Sequence, residues 1–197
     1  MTPQEFKQQL LNKLYEPYKK CTMCPLGLMG RKNVVFGQGN PDADLMFIGE
    51  GPGQEEDNQG LPFVGRSGQL LNKILQAVNM SREEVFITNI VKCRPPNNRK
   101  PMPQESETCK NLLLINQIKI IRPTIICTLG SAAIQGLLND YDIKISKIRG
   151  SFLSYQEIPV LPTYHPAYIL RNPKELDTLY TDIEHAVKYA TTCTKKS

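Results

Sequence analysis

The apolar positions along this chain change period several times, and each change marks an element. Phe6, Leu10, Leu11 and Leu14 recur at helical spacing, so an amphipathic helix is expected over residues 3–19, leading into Cys21. NVVF at 33–36 is a short strand candidate, and LMFIG at 45–49 is a compact apolar strand stopped by the turn GPG. Leu70, Leu71, Ile74, Leu75 and Val78 return to the helical period across 67–78, and Ser81 with Glu84 has the form of a capping box. VFITNIV (85–91) reads as a second strand. A helix over 104–121 must end before Pro123, and TIICTLG (124–130) forms a third, buried strand. SAAIQGLL (131–138) is a short helix, GSFLSYQ (150–156) a β segment, IPVLPTY (158–164) a fourth strand, and residues 173–190 a closing helix.

Strands alternating with helices imply a largely parallel sheet covered on both faces, with ligands at the carboxyl ends of its strands. Three notable groups fall there: the GEGPG turn (49–53), Asn89 in the second strand, and His165 just after the fourth. No repeat, low-complexity stretch or interdomain linker interrupts the pattern, so residues 1–197 are expected to form one domain, with 192–197 a flexible tail.

Composition narrows the class. With 197 residues, 40% hydrophobic and 22% charged, the chain is of ordinary globular type, which excludes collagen, coiled coil and disorder. No apolar run approaches the roughly 20 residues of a membrane-spanning helix, and MTPQEFKQQL lacks the apolar stretch of a signal peptide. No membrane association and a cytoplasmic location are therefore expected. The net charge of +5 is a mild bias toward polyanionic partners.

Six cysteines in a reducing compartment point to metal binding or plain burial rather than disulfides. Cys21 and Cys24 form a tight CTMC pair, whereas Cys93 and Cys109 are separated by a long loop and helix. Four such thiolates could close a zinc or an iron–sulfur site, and the wide second pair leans toward a cubane cluster. The bland alternative, buried small hydrophobes, fits Cys127 inside TIICTLG; Cys193 is a bystander in a polar stretch.

The strand-end residues admit two readings each. The GEGPG glycines suit either an ordinary turn or a backbone bare enough for a ligand to approach. Glu50, Glu55, Glu56 and Asp57 are either a solvated acidic loop or groups that position water. His165, stiffened by Pro166, is better placed for function than His185, which sits in a helical pattern. Asn89 needs hydrogen-bond partners in an apolar strand, and Phe63 in GLPFVGRSG is either a loop anchor or a stacking surface.

Taken together, GEGPG followed by EED, LPFVGRSGQLL, TNIVKCRPPNNRKP, the four-cysteine pattern and YHPAYILRNP closely resemble the family 4, iron–sulfur uracil-DNA glycosylases, from about Cys21 to Asn172. The resemblance implies a three-layer α/β/α sandwich around a four-stranded, mainly parallel sheet. It also implies a structural 4Fe-4S cluster on Cys21, Cys24, Cys93 and Cys109, and a monomeric cytoplasmic enzyme. The expected reaction is hydrolysis of uracil from single- or double-stranded DNA, the first step of base excision repair.

On this resemblance Phe63 stacks on the flipped uracil and Asn89 reads its edge, accepting from N3–H and donating to O4. His165 donates to O2 as charge develops, beside the amides of the Glu50–Gly51 turn. Gly51 stands where related enzymes carry an Asp or Asn, so Glu50 becomes the candidate for orienting water, with Glu56 or Asp57 behind it. Tyr168, Ile169 or Leu170, in a loop, would fill the gap left by the base, and Arg171 would hold a phosphate. Lys92, Arg94, Arg99 and Lys100 lie between cluster ligands, so the cluster would act as a staple shaping a basic, DNA-binding loop on which Arg94 and Arg99 meet the DNA. A contact with a replication clamp or polymerase is a further expectation. The rival readings are a non-hydrolysing binder of uracil-containing DNA and a zinc-stapled structural partner; residues 94–108 contain no histidine, which counts against covalent trapping.

Overall fold

A computed structural model describes residues 1–194. In chain order the elements are α1 (Pro3–Tyr15), β1 (Gln38–Gly39), β2 (Leu45–Gly49), α2 (Gln54–Gln59), α3 (Arg66–Ala77), β3 (Phe86–Asn89), α4 (Pro103–Cys109), α5 (Ile115–Ile121), β4 (Ile125–Leu129) and α6 (Ser131–Leu138). There follow α7 (Ile145–Ile148), β5 (Leu153–Tyr155), β6 (Ile158–Thr163), α8 (Pro166–Arg171) and α9 (Leu176–Thr194). No helix among the described residues is long and apolar enough to cross a membrane.

The strands form one sheet in the order β1-β3-β2-β4-β6-β5. Its inner four run parallel, with Gly49 in register with Asn89 and Ile126 with Val160. The expectation of four strands is thus corrected to a six-stranded mixed sheet, extended at each edge by a short antiparallel strand. The physical reasons are local. β5 and β6 are joined by Gln156 and Glu157, both at positive φ (47° and 69°), the two-residue turn that suits a hairpin but which neither residue type advertises. At the other edge, Gly37 and Gly39 at φ 144° and 129° bend the chain into β1.

β2 and β4 are buried at every position, because helices cover both faces of the sheet. Met46, Ile48 and Phe86 face one core with Leu11, Leu113, Ile118 and Ile134 from α1, the 103–121 segment and α6. Leu45, Phe47 and Ile87 face the other, with Leu71 and Ile74 of α3, Ile169 of α8 and Ile183 of α9. Each such side chain is worth about 1.5–3 kcal/mol when fully buried. The chain winds from β2 out to β3, then back across β2 to β4 and β6. That reversal leaves a crevice beyond the carboxyl ends of the strands.

Several boundaries differ from the sequence expectations. The NVVF segment is buried but not a strand: the Phe36 carbonyl accepts from Thr88 Oγ1 (2.8 Å) and Gln117 Nε2 (2.9 Å) instead of a ladder partner. The first helix ends at Tyr15 and passes into a 3-10 turn, Glu16–Tyr18. Ser81 and Glu84 make one bond of a capping box, N–H to Oε2 at 2.7 Å, within a turn and without a helix. The 104–121 helix is interrupted by a π segment, Lys110–Leu114, directly after Cys109, where Lys110 is pulled inward to the Asn139 amide oxygen (2.5 Å). Residues 192–194 continue α9, and the remainder of the expected tail lies outside the described residues.

Candidate active site

The crevice holds a cleft of about 580 Å³ lined by Glu50, Gly51, Phe63, Asn89, His165, Tyr168 and Arg171 among others. Residues that the sequence scatters over more than a hundred positions are thus brought together. Gly49, the last residue of β2, explains why its floor is open: a Cβ there would lie 2.4 Å from Asn89 Oδ1 and 2.6 Å from Phe63 Cζ. Only a residue without a side chain leaves both groups in place.

Asn89 ends β3 and is 1% exposed. Its Oδ1 is buried with no hydrogen-bond partner among the described residues. A buried orphan acceptor costs about 1–3 kcal/mol, so its persistence at the cleft floor marks a place that a donor from outside should fill.

Phe63 is also buried and sits at φ 51°, a conformation a bulky residue adopts only when held there. Three supports hold it. Arg82 donates to the Phe63 carbonyl (3.1 Å), to Asn72 Oδ1 (3.0 Å) and to the Pro62 carbonyl. Glu56 Oε1 accepts from the amides of Val64 (2.9 Å) and Gly65 (2.8 Å). Gly68 lets α3 approach so closely that a Cβ would overlap the Phe63 carbonyl oxygen at 1.8 Å. Arg82 was not singled out by motif reading, since it lies outside the LPFVGRSGQLL motif that holds Phe63 and Gly68. Asp57 is not a water-positioning group: it is buried and accepts from the amides of Lys32 and Asn33 at 2.9–3.0 Å.

His165 caps α8, and its Nδ1 accepts from the Ala167 amide at 3.0 Å. The imidazole proton therefore resides on Nε2, leaving an N–H to donate. Desolvation lowers its pKa to about 4, helped by the Arg171 charge and opposed by Glu56, so the ring is neutral at physiological pH. Its ring lies 5.7 Å from that of Phe63. Gly130, at φ 90°, makes room: a Cβ would stand 2.9 Å from His165 Cβ.

Glu50 is half-buried on the cleft wall, and its side chain has no hydrogen bond among the described residues. Burial raises its pKa, and Lys100 pulls it back. A Cβ on Gly51 would sit 2.7 Å from Val91 Cγ2, so the backbone comes to the cleft bare at that position.

The segment from His165 to Pro173 is not the loop expected but helix α8 with a 3-10 turn, because Pro166 at its first position and the His165 cap start it. Tyr168 and Leu170 are each 37% exposed, whereas Ile169 is buried in the core and is removed from the candidate wedge. Arg171 is exposed at the rim. Arg94 bonds Asn98 Oδ1 at 2.7 Å, and Arg99 grips Glu105 with two bonds of 2.9 and 2.7 Å. Lys92, expected on the basic, DNA-binding loop, is fully buried.

Cys21, Cys24, Cys93 and Cys109 line one small cavity with Leu26, Val34, Val91 and Leu113. Among the described residues they are not drawn together around a single-ion centre. Desolvation pushes Cys93 up to about 12 and Cys109 to about 11, so both are thiols without a metal. Arg31 donates to the Cys21 carbonyl (2.6 Å), and its buried Nε has no partner among the described residues. The Lys92 amide donates to Cys109 Sγ at 3.3 Å. Cys127 is buried in β4, and Cys193 lies on α9.

A mixed sheet with an open cleft at the ends of its parallel strands, an unsatisfied amide at the cleft floor and a neutral imidazole donor has the makings of a base-recognising enzyme, and comparison with known proteins identifies the class. Residues 36–189 match the family described as the uracil DNA glycosylase superfamily. The chain is 47% identical over 167 residues to the type-4 uracil-DNA glycosylase of Thermotoga maritima, covering 84% of this chain and 86% of that one. It is 46% identical over 171 residues to the type-4 enzyme of Saccharolobus solfataricus, covering 83% and 78%. To that of Archaeoglobus fulgidus it is 37% identical over 193 residues, covering 94% of both. The chain belongs to the uracil-DNA glycosylase superfamily and, within it, to the type-4 family.

Proposed function

We propose that this cleft binds a flipped uracil and hydrolyses its glycosidic bond, making the protein a DNA-repair glycosylase that leaves an abasic site. The family membership supports the reaction. The observation that carries the residue roles is the buried, unpartnered Asn89 Oδ1 at the cleft floor. Uracil N3–H supplies the missing donor, while the amide NH2 meets O4; cytosine, with an acceptor at N3 and a donor at C4, reverses both. Extrusion of the nucleotide costs a few kcal/mol, which stacking on Phe63 helps to offset.

As the bond between C1′ and uracil N1 breaks, the electron pair leaves with the base and positive charge develops on the sugar. His165 Nε2–H donates to O2, and the bare amides of the Glu50–Gly51 turn face the same developing charge. Because the ring is neutral, it stabilises charge without surrendering its proton. Glu50 lies on the wall where an ionised carboxylate favours the sugar cation and orients water, which adds at C1′ and gives up its proton to the departed uracil anion by way of solvent. Arg171 takes a flanking phosphate, and Tyr168 and Leu170 fill the vacated stack. Arg94 offers a further cation to the DNA backbone, and Arg99, through Glu105, shapes the loop on which it stands.

The four cysteines fit a 4Fe-4S cluster. They line one shared apolar cavity, and the orphan Arg31 Nε points to an unsatisfied acceptor nearby. Such a cluster would supply cross-linking of residues 21–24 to the segment 93–109, and hydrolysis itself moves no electrons. The substrate is uracil in single- or double-stranded DNA, and a cytoplasmic monomer suffices for it.

The test incubates anaerobically purified protein with labelled oligonucleotides carrying one uracil, single-stranded or opposite guanine, followed by alkaline cleavage. Strand breaks at uracil alone are expected. Folded, cluster-bearing protein that shifts the oligonucleotide on a gel without cleaving it would replace hydrolysis by binding.

A further inference from the structure

Lys92 is the most unusual side chain outside the cleft: a lysine with no exposed surface, in the turn between Asn89 and Cys93. Its Nζ meets three acceptors, Thr88 Oγ1 at 2.5 Å, the Asn89 carbonyl at 2.7 Å and Gln117 Oε1 at 2.7 Å. Three acceptors surround Nζ, with no carboxylate taking part. The cage is itself anchored, because Thr88 Oγ1 and Gln117 Nε2 both donate to the Phe36 carbonyl. From the same residue, the backbone amide donates to Cys109 Sγ and the carbonyl accepts from the Val35 amide at 2.7 Å.

Asn89 needs such an anchor. Its side-chain oxygen has no partner among the described residues, so no hydrogen bond at Oδ1 holds the amide in place. An amide free to turn would read cytosine as readily as uracil. Gly49, in register, and Phe63 border the amide at the cleft floor, and where the Asn89 main chain stands decides where the amide sits. Gly49 stands in register with Asn89 and its carbonyl accepts from the next amide, Ile90, while the Asn89 carbonyl accepts from Lys92 Nζ.

We propose that Lys92 is the positioning residue for base selection, its Nζ fixing the Asn89 carbonyl and, with it, the place where the side-chain amide meets the base. The inference rests on the reading of Asn89 given above. It also gives the four-cysteine site a second task, since the residue that aims Asn89 is tied through its own amide to Cys109.

The test is Lys92→Met, which keeps length and apolar bulk and removes the donors, compared with Gln117→Leu and Thr88→Val, which remove one arm of the cage each. Single-turnover excision of uracil and of cytosine is measured beside binding of oligonucleotides carrying 2′-fluorinated deoxyuridine or deoxycytidine, with visible absorption and thermal unfolding as controls. Lys92→Met is expected to lower the uracil-to-cytosine binding ratio at least tenfold and uracil excision by 10- to 100-fold, with the absorption per protein unchanged. The two cage variants are expected to shift the same ratio by a smaller factor. A Lys92→Met protein that only melts earlier, with a wild-type ratio, overturns the proposal. Should Lys92→Met fail to fold, wild-type ratios in both cage variants overturn it equally. Wild-type protein that excises no uracil would instead sink the reading of the cleft.

Discussion

Replacing Gly49 by alanine adds one methyl group at the cleft floor and nothing elsewhere. The new Cβ would stand 2.4 Å from Asn89 Oδ1 and 2.6 Å from Phe63 Cζ, where contacts below 3.0 Å force something to move. The backbone of β2 has little freedom to retreat, since the strand is paired on both sides and the Gly49 carbonyl accepts from the Ile90 amide at 2.9 Å. Asn89 and Phe63 must give way, the former by about 0.6 Å, which stretches a hydrogen bond of ordinary length to about 3.5 Å, beyond useful geometry. Misplacement by about 1 Å costs on the order of 10²-fold in rate, so kcat/KM for uracil should fall by roughly 10- to 100-fold, or about 1.4–2.7 kcal/mol. Overpacking should also lower stability by about 1–3 kcal/mol. Single-turnover excision on a uracil oligonucleotide, run well below the midpoint of thermal unfolding, separates the two effects. A folded Gly49→Ala protein within threefold of wild-type excision would refute the assignment of Asn89 and Phe63 to the base.

Four further outcomes are expected. His165→Ala should slow excision by roughly 10²–10³-fold with little change in fold, because one preorganised donor is worth about 3 kcal/mol; wild-type single-turnover rates would exclude it from the site. The His165 pKa, lowered from 6.5 to about 4, means the unfolded chain binds the proton first as pH drops. The stability this contributes is complete above pH 6.5 and lost on falling toward pH 4, so the slope of unfolding free energy across that window should shrink in His165→Ala, and ring nitrogen NMR should show an Nε2–H tautomer until about pH 4. Asn89→Asp should admit some cytosine, since a protonated carboxyl offers a donor to cytosine N3; undetectable cytosine excision alongside surviving uracil excision would remove Asn89 as reader. Cys93→Ala should lose visible absorption and bound iron together, and full retention of both would show that Cys93 is no ligand.

How much of this was legible in the sequence differs by residue. LMFIG and IICTL announce themselves because strands buried on both faces need unbroken apolar runs, and Ser131–Leu138 was delimited by its own glycine and asparagine neighbours. The edge strands were hidden, since two-residue pairing at Gln38–Gly39 and a turn of Gln156 and Glu157 carry no periodic signal. The helical form of residues 166–171 was obscured by flanking prolines that read equally well as a loop. At the site, Asn89, Phe63 and His165 stood out as residue types in unusual places. Arg82, which holds Phe63, could be recognised only once distant segments met, and the close approach of Gly68, though within the same motif, only from the turn of the chain between them.

The sequence by itself determined the alternation of strands and helices, the apolar runs that must lie inside, and the motifs that place this chain among type-4 glycosylases, because each is written within a few consecutive residues. Tertiary structure decided what no local pattern contains. It left Asn89 Oδ1 without a partner, tied off His165 Nδ1 so that Nε2 carries the proton, buried Lys92 among three acceptors, and turned Ile169 into the core while Tyr168 and Leu170 face outward. These follow from three-dimensional proximity: burial, desolvation and hydrogen-bond satisfaction depend on which remote segments pack together, and a residue's identity does not specify its neighbours.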